Sequence, residues 1–124
     1  MTRGLARRRI LVVEDEALIA MDLEWTLRQS GCEVVGPVAT LGDAVRAVAT
    51  EHPLDGAILD VNLGRERVFP VADLLADRGV PFLFLTGYER EILPARHRDR
   101  ATANKPYRAE HVLRLLAKAV GETS

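Results

Sequence analysis

Five residues with reactive or charged side chains stand where short apolar runs stop. Glu14 and Asp15 follow Ile10-Leu11-Val12-Val13, Asp60 follows Ala57-Ile58-Leu59, Thr86 follows Phe82-Leu83-Phe84-Leu85, and Lys105 follows a short strand-like stretch at 100–103. If those runs are parallel strands, three carboxylates, one hydroxyl and one amine meet on one rim of a sheet. Two like unit charges roughly 4 Å apart repel by about 4 kcal/mol at an effective dielectric near 20. Such a cluster needs protons, a neighbouring cation or a bound metal. Oxygen-only ligands favour Mg²⁺, with Mn²⁺ as a substitute, and leave coordination positions for water and a substrate phosphate. Lys105 adds a second positive charge and Thr86 a hydroxyl donor. Together they suit a phosphoryl group, with Asp60 central enough to be its nucleophile.

The elements that must hold these residues alternate along the chain. Ile10–Val13 reads as a strand buried on both faces, and 16–30 as a helix with Ile19, Leu23 and Leu27 on one stripe, stopped by Ser30-Gly31. Val34–Val38 is a second strand, whose Pro37 suits a sheet edge. Leu41–Glu51 reads as helix with Val45, Val48 and Ala49 apolar, Ala57–Leu59 as strand, Val68–Asp77 as helix, and Phe82–Leu85 as the most apolar strand. A short helix over 89–97 broken near Pro94, a strand over Arg100–Ala103 and an amphipathic helix over Arg108–Val120 complete the pattern. Five strand–helix repeats predict an α/β, flavodoxin-like (βα)5 fold: a doubly wound, parallel five-stranded sheet in the order 2-1-3-4-5.

Composition narrows the function. The chain has 124 residues, 48% of them hydrophobic, and a net charge of −1 from 17 basic and 18 acidic side chains. That is one domain with a real core, and the balanced charge gives no support to nucleic-acid or membrane-surface binding. No apolar run approaches the roughly 18 residues of a membrane span. The basic start, residues 1–9, is read as a solvated, disordered tail rather than a leader, because the apolar run after it ends at Glu14. Residues 121–124 are read as a C-terminal tail, and 10–120 as the single domain, with no output domain. Cys32 is the one cysteine, so no internal disulfide forms, and a cytoplasmic location is expected. Charge is asymmetric: residues 1–62 carry six basic and ten acidic side chains, residues 63–124 eleven and eight.

Val12-Val13-Glu14-Asp15-Glu16, Leu59-Asp60-Val61-Asn62-Leu63-Gly64, Thr86-Gly87 and Lys105-Pro106, in that order at successive strand ends, resemble the receiver domain of two-component response regulators (the CheY-like superfamily) from Ile10 to Val120. The resemblance implies that Glu14 and Asp15 bind Mg²⁺ with help from Asp60 and the Asn62 backbone carbonyl. It implies that Asp60 accepts a phosphoryl group from the phosphohistidine of a sensor histidine kinase, and that Thr86 and Lys105 contact the transferred oxygens. Pro81 to Tyr88, Pro94 and Lys105-Pro106-Tyr107 further resemble the "FAT GUY" group of alphaproteobacterial receivers, often stand-alone and paired with HWE or related kinases; Leu85 stands where alanine is usual and Glu89 where glycine is usual. Thr102, three residues before the lysine, replaces a switch aromatic of many receivers. Gly87, Tyr88 and Pro106 are then the expected switch and partner residues, with Tyr88 reporting the shift of Thr86.

Each residue also has an ordinary reading. Glu14-Asp15 could be a solvated loop at a helix start, Asp60 a helix cap, and Thr86 a plain strand end. Lys105 is more telling, because the chain uses fifteen arginines and two lysines yet places a lysine here. Leu18, Met21 and Trp25 form a second apolar stripe on the first helix, either a wide core face or a kinase-docking surface. His52, His97 and His111 lack metal-ligand spacing and read as surface or packing residues, and the basic stretch 90–100 reads as a solvated face or partner contact. The expected function is a single-domain response regulator in a phosphorelay. It would take a phosphoryl group onto Asp60 with Mg²⁺, turn over no independent substrate beyond its own phosphorylation and dephosphorylation, and signal through a downstream regulator, a phosphotransfer protein, a homodimer, or by draining kinase phosphate. The competing class is a pseudo-receiver acting as a constitutive interaction module, which intact Glu14, Asp15, Asp60, Thr86 and Lys105 oppose. A flavodoxin-like small-molecule binder is weaker, since no Gly-rich phosphate loop follows the first strand.

Overall fold

The computed structural model describes residues 4–87 and 93–123. Its elements are β1 (Arg9–Val13), α1 (Ala17–Gln29), β2 (Glu33–Val38), α2 (Leu41–Thr50), β3 (Gly56–Asp60), β4 (Asn62–Leu63), β5 (Glu66–Arg67), α3 (Phe69–Asp77), β6 (Phe82–Thr86), β7 (Thr102–Asn104) and α4 (Ala109–Thr123). Five strands form one parallel sheet in the order β2-β1-β3-β6-β7, which is the expected order once the small β4–β5 pair is set aside.

Why the central runs are continuously apolar follows from the pleat. Leu11 and Val13 of β1, Ala57 and Leu59 of β3, and Phe82 and Phe84 of β6 enter one core with α2 and α3. Their neighbours Ile10, Val12, Ile58, Leu83 and Leu85 enter the other core with α1 and α4. A strand covered by helices on both faces has no polar face to show, so periodicity of two disappears from its sequence. The register pairs Val13 with Leu59, Asp60 with Leu85, and Thr86 with Asn104, so the carboxyl ends of β1, β3, β6 and β7 align on one rim.

β2 is an edge strand, as Pro37 predicts, and Gly36 sits there at φ 94° where a Cβ would lie 2.7 Å from the Val38 nitrogen and 3.0 Å from the Val12 carbonyl. The close approach accompanies a register slip between Leu11 and Val13, which bends the edge.

Several expectations are corrected. Residues 4–9 are not a solvated tail: Leu5 is fully buried in the α1–α4 core, Arg7 N–H donates to the Gly31 carbonyl at 2.8 Å, and Arg9 already belongs to β1. A single leucine among basic residues has no periodicity to announce its burial. At the other end α4 continues through 121–123, where a tail was expected. In α2 the buried positions are Ala44, Ala47 and Val48, whereas Ala49 is exposed. The last strand lies at Thr102–Asn104, two residues beyond its expected start. Asn62–Leu63 and Glu66–Arg67 form an antiparallel hairpin that was not expected, turned by Gly64 at φ 61°. In the fourth crossover the described residues carry one 3-10 turn, Ala95–His97; the first four residues of the helix expected over 89–97, 89–92, lie outside the described residues.

Candidate functional site

The rim collects the predicted residues because each ends or follows a neighbouring strand. Glu14 and Asp15 leave β1, Asp60 ends β3, Thr86 ends β6, and Lys105 leaves β7. Glu14, Asp60 and Thr86 are buried, while Asp15 is exposed. One carboxylate oxygen from each of Glu14, Asp15 and Asp60 lies within 4.8 Å of the others, close enough for one cation to touch all three. Asp15 and Asp60 border a cleft of about 400 Å³ that is also lined by Glu16, Asn62, Gly64, Gly87 and Lys105.

Hydrogen bonds fix the carboxylates individually. Asp60 Oδ1 accepts from the Asn62 N–H at 3.2 Å, Glu14 Oε1 from the Glu16 N–H at 3.1 Å, and Asp15 Oδ2 from the Gly64 N–H at 2.9 Å. The last bond ties the β1 loop to the hairpin after β3. Arg67, facing Asn62 across that hairpin, donates to the Asn62 side-chain oxygen. Lys105 N–H donates to the Thr86 carbonyl at 2.8 Å, which seats the lysine beside the β6 strand end.

The Lys105 ammonium is shared. Its Nζ lies 3.1 Å from Glu16 Oε1, 3.3 Å from Asp60 Oδ2 and 3.9 Å from Glu14 Oε2. Burial alone would lower its pKa, but Asp60, Glu16 and Glu14 together hold it above the ordinary lysine value. Glu14 is also shifted upward, which for a carboxyl favours the neutral form. Burial, and then its hydrogen bond to Asp60, push it up to about 8, against the partial opposition of Lys105.

This arrangement fits a divalent cation. Glu14 Oε2 is buried without a hydrogen-bond partner among the described residues, with the shared Lys105 ammonium no nearer than 3.9 Å, and a buried oxygen in that condition is costly unless a closer positive charge meets it. The donor set is all oxygen, which suits a hard ion such as Mg²⁺.

Of the other predicted residues, Gly87 lines the cleft, and Asn62 lines it while holding Asp60 through its N–H. Pro106 is exposed and, with Leu18, Ile19, Asp22 and Tyr107, borders an adjoining groove of about 510 Å³ that also touches Glu16 and Lys105. Tyr88 lies outside the described residues. Thr102 donates to the Arg100 carbonyl at 3.2 Å and pairs with Phe84, so no ring occupies that position. Glu16, which has no expected role in the motif, is the nearest anion to Lys105 among the described residues; the signal for it in the sequence is the run of three successive acidic residues.

Residues 10–106 match the family described as "Response regulator receiver domain". Among curated proteins the chain is 39% identical over 93 residues to the transcriptional regulatory protein PdtaR of Mycobacterium tuberculosis, covering 74% of this chain and 45% of PdtaR. It is 36% identical over 115 residues to the phyllosphere-induced regulator PhyR of Methylorubrum extorquens, covering 90% of this chain and 43% of PhyR. The chain thus spans less than half the length of these curated relatives. Among solved structures, SdrG of Sphingomonas melonis Fr1 superposes with a TM-score of 0.78 at 42% identity, covering 92% of this chain and 96% of SdrG. SdrG in a BeF3-activated conformation gives 0.71 at 43% identity, covering 93% and 96%.

Proposed function

Since the chain belongs to the response regulator receiver domain family, we propose that it is a phosphoacceptor in which Asp60 takes a phosphoryl group from the phosphohistidine of a sensor histidine kinase. The observation that supports this best is the single rim on which three carboxylates within 4.8 Å of one another meet an ammonium 3.3 Å from Asp60. An Asp60 oxygen attacks phosphorus in line, the phosphorus–nitrogen bond breaks, and its electron pair stays with the imidazole. Glu14, Asp15, Asp60 and the Asn62 carbonyl would hold Mg²⁺ here. When bound, Mg²⁺ supplies positive charge that offsets the anionic cluster and the incoming phosphoryl oxygens.

The chain's own groups do the rest. Asn62 N–H and Lys105 orient the Asp60 carboxylate, and Lys105 meets the oxygens of the transferred group. The Thr86 hydroxyl, at the strand end between Asp60 and Lys105, approaches the same oxygens, and Gly87 follows it along the cleft. A phosphoryl group adds strong acceptor oxygens that draw Thr86 and Lys105 inward and change the surface of the last strands and helix. Tyr88 is the proposed reporter of that shift. Leu18, Met21 and Trp25, exposed on α1 rather than part of the core, supply the apolar surface on which a kinase, of the HWE or a related type, would dock, and Leu18 also borders the groove at Pro106. No helix among the described residues is long and apolar enough to cross a membrane, and a cytoplasmic setting is proposed.

Intact mass after incubation with acetyl phosphate, with and without Mg²⁺, tests the reading on the parent and on Asp60→Asn. The expected result is a Mg²⁺-dependent gain of one phosphoryl mass that Asp60→Asn lacks. A folded parent that binds Mg²⁺ yet gains nothing from acetyl phosphate or a phosphorylated kinase would favour a constitutive interaction module.

A further inference from the structure

Glu16 stands apart from the other acidic residues of the rim. It is the residue before α1, in the position where a side chain commonly caps a helix, yet it makes no side-chain cap hydrogen bond. Its carboxylate is directed instead to Lys105, at 3.1 Å, closer than either Asp60 at 3.3 Å or Glu14 at 3.9 Å. Glu16 also borders both cavities, the acidic cleft that holds Asp60 and the apolar groove between α1 and Pro106-Tyr107.

One ammonium therefore serves three carboxylates. When a phosphoryl group joins Asp60, its oxygens become the strongest anionic acceptors in the cleft, and Lys105 must turn to them. Glu16 competes for that same ammonium from the outer side. Its charge also adds to the field that draws a divalent cation to the cleft. The two effects are opposed: the same carboxylate favours the cation and disfavours the anion.

We propose that Glu16 is a positioning residue for Lys105, holding the ammonium at the cleft mouth and weakening its grip on the phosphoryl group, while its charge strengthens binding of the divalent cation. This rests on the phosphoacceptor reading of Asp60. A residue that merely supports the fold would move both affinities in one direction when replaced, whereas this role moves them apart.

The experiment compares the parent with Glu16→Gln and Glu16→Asp, first titrating Mg²⁺ by calorimetry and then titrating beryllofluoride, a tetrahedral anionic stand-in for the phosphoryl group, at saturating Mg²⁺. Glu16→Gln is expected to weaken Mg²⁺ by about threefold, the scale of one partly exposed charge, and to tighten beryllofluoride by a similar factor. Glu16→Asp keeps the charge and loses the reach, so it should bind Mg²⁺ like the parent and beryllofluoride like Glu16→Gln. Two affinities that fall together in Glu16→Gln, or that both stay unchanged, would overturn the proposal. A parent that neither binds beryllofluoride nor gains phosphoryl mass overturns the phosphoacceptor reading and this inference with it. A parent that does both leaves the behaviour of the variants to decide this inference alone.

Discussion

Lys105 Nζ reaches Asp60 Oδ2 at 3.3 Å across the end of β6, which separates β3, ending at Asp60, from β7, which Lys105 follows. Asp60 is almost fully buried and the Lys105 side chain is 24% exposed, so the pair lies between a surface ion pair and a buried one. Removing one partner of a buried pair costs about 3–5 kcal/mol, and solvent access to Lys105 reduces that here. Lys105→Met should destabilise the metal-free protein by about 1–3 kcal/mol in urea denaturation, because the buried Asp60 carboxylate loses its cationic partner. Added Mg²⁺ should recover part of the loss. An unchanged midpoint would mean that the ammonium contributes nothing to holding the carboxylates together.

Glu14 gives the site a pH dependence. With its carboxyl pushed from an ordinary 4.5 to about 8, the folded, metal-free protein keeps a proton at neutral pH that the unfolded chain has already lost. The folded state then binds more protons between those two values. The stabilisation from this group is complete below about pH 4.5 and disappears as pH rises through about 8. A divalent cation must displace the same proton, so Mg²⁺ affinity should climb by up to about tenfold per pH unit below about 8 and flatten above it. Thermal melts near pH 6 and pH 8.5 check both signs: Mg²⁺ should raise the melting temperature more at the higher pH.

How much of this was legible in the sequence depends on the reach of each interaction. Asp60, Thr86 and the Glu14-Asp15 pair end buried parallel strands, and such strands appear as unbroken apolar runs whose termini are easy to read. Parallel register then brings those termini together without further information. The Lys105–Glu16 contact depends on where a four-carbon side chain points, and no periodicity encodes that. The β4–β5 hairpin has two residues in each strand, too few for any alternation to show. The side on which Trp25 lies is hidden in the sequence for a related reason: α1 carries apolar residues around more than half its circumference, and only the packing of α4 and β2 on one side settles which face is left outside.

His97 illustrates a buried polar group with a packing role. Its imidazole has 0% exposure, lies 5.7 Å from the ring centres of both Phe82 and Phe84, and holds Asp73 Oδ1 of α3 at 2.7 Å through Nε2. Nδ1 has no hydrogen-bond partner among the described residues. His97→Ala should cost about 2–4 kcal/mol through the cavity and the lost bond. His97→Phe keeps most of the packing and removes the unpartnered nitrogen, and half-exposed Asp73 can return to water and to Arg96, so its cost should stay near 1 kcal/mol. Urea denaturation of the two variants checks the order. Equal losses would mean that the hydrogen bond, rather than the ring packing, ties the crossover to α3.

The proposed docking role of the apolar stripe on α1 can be tested apart from the chemistry of the cleft. Leu18 is 82% exposed and Met21 and Trp25 are each 64% exposed, on two turns of one helix, while Leu23 and Leu27 on the opposite side are fully buried. Replacing the three outer residues with serine removes no core contact, so stability should change by no more than about 1.5 kcal/mol in total. None of them carries a charge or touches the acidic cleft, so the rate of phosphorylation by acetyl phosphate should match the parent. A histidine kinase that must seat against α1 before its phosphohistidine reaches Asp60 would lose that apolar surface. Its phosphotransfer should fall by at least about tenfold, the equivalent of 1.4 kcal/mol of lost docking energy. Equal loss with both donors would place the defect at Asp60 itself, and equal retention would move the docking surface elsewhere on the molecule.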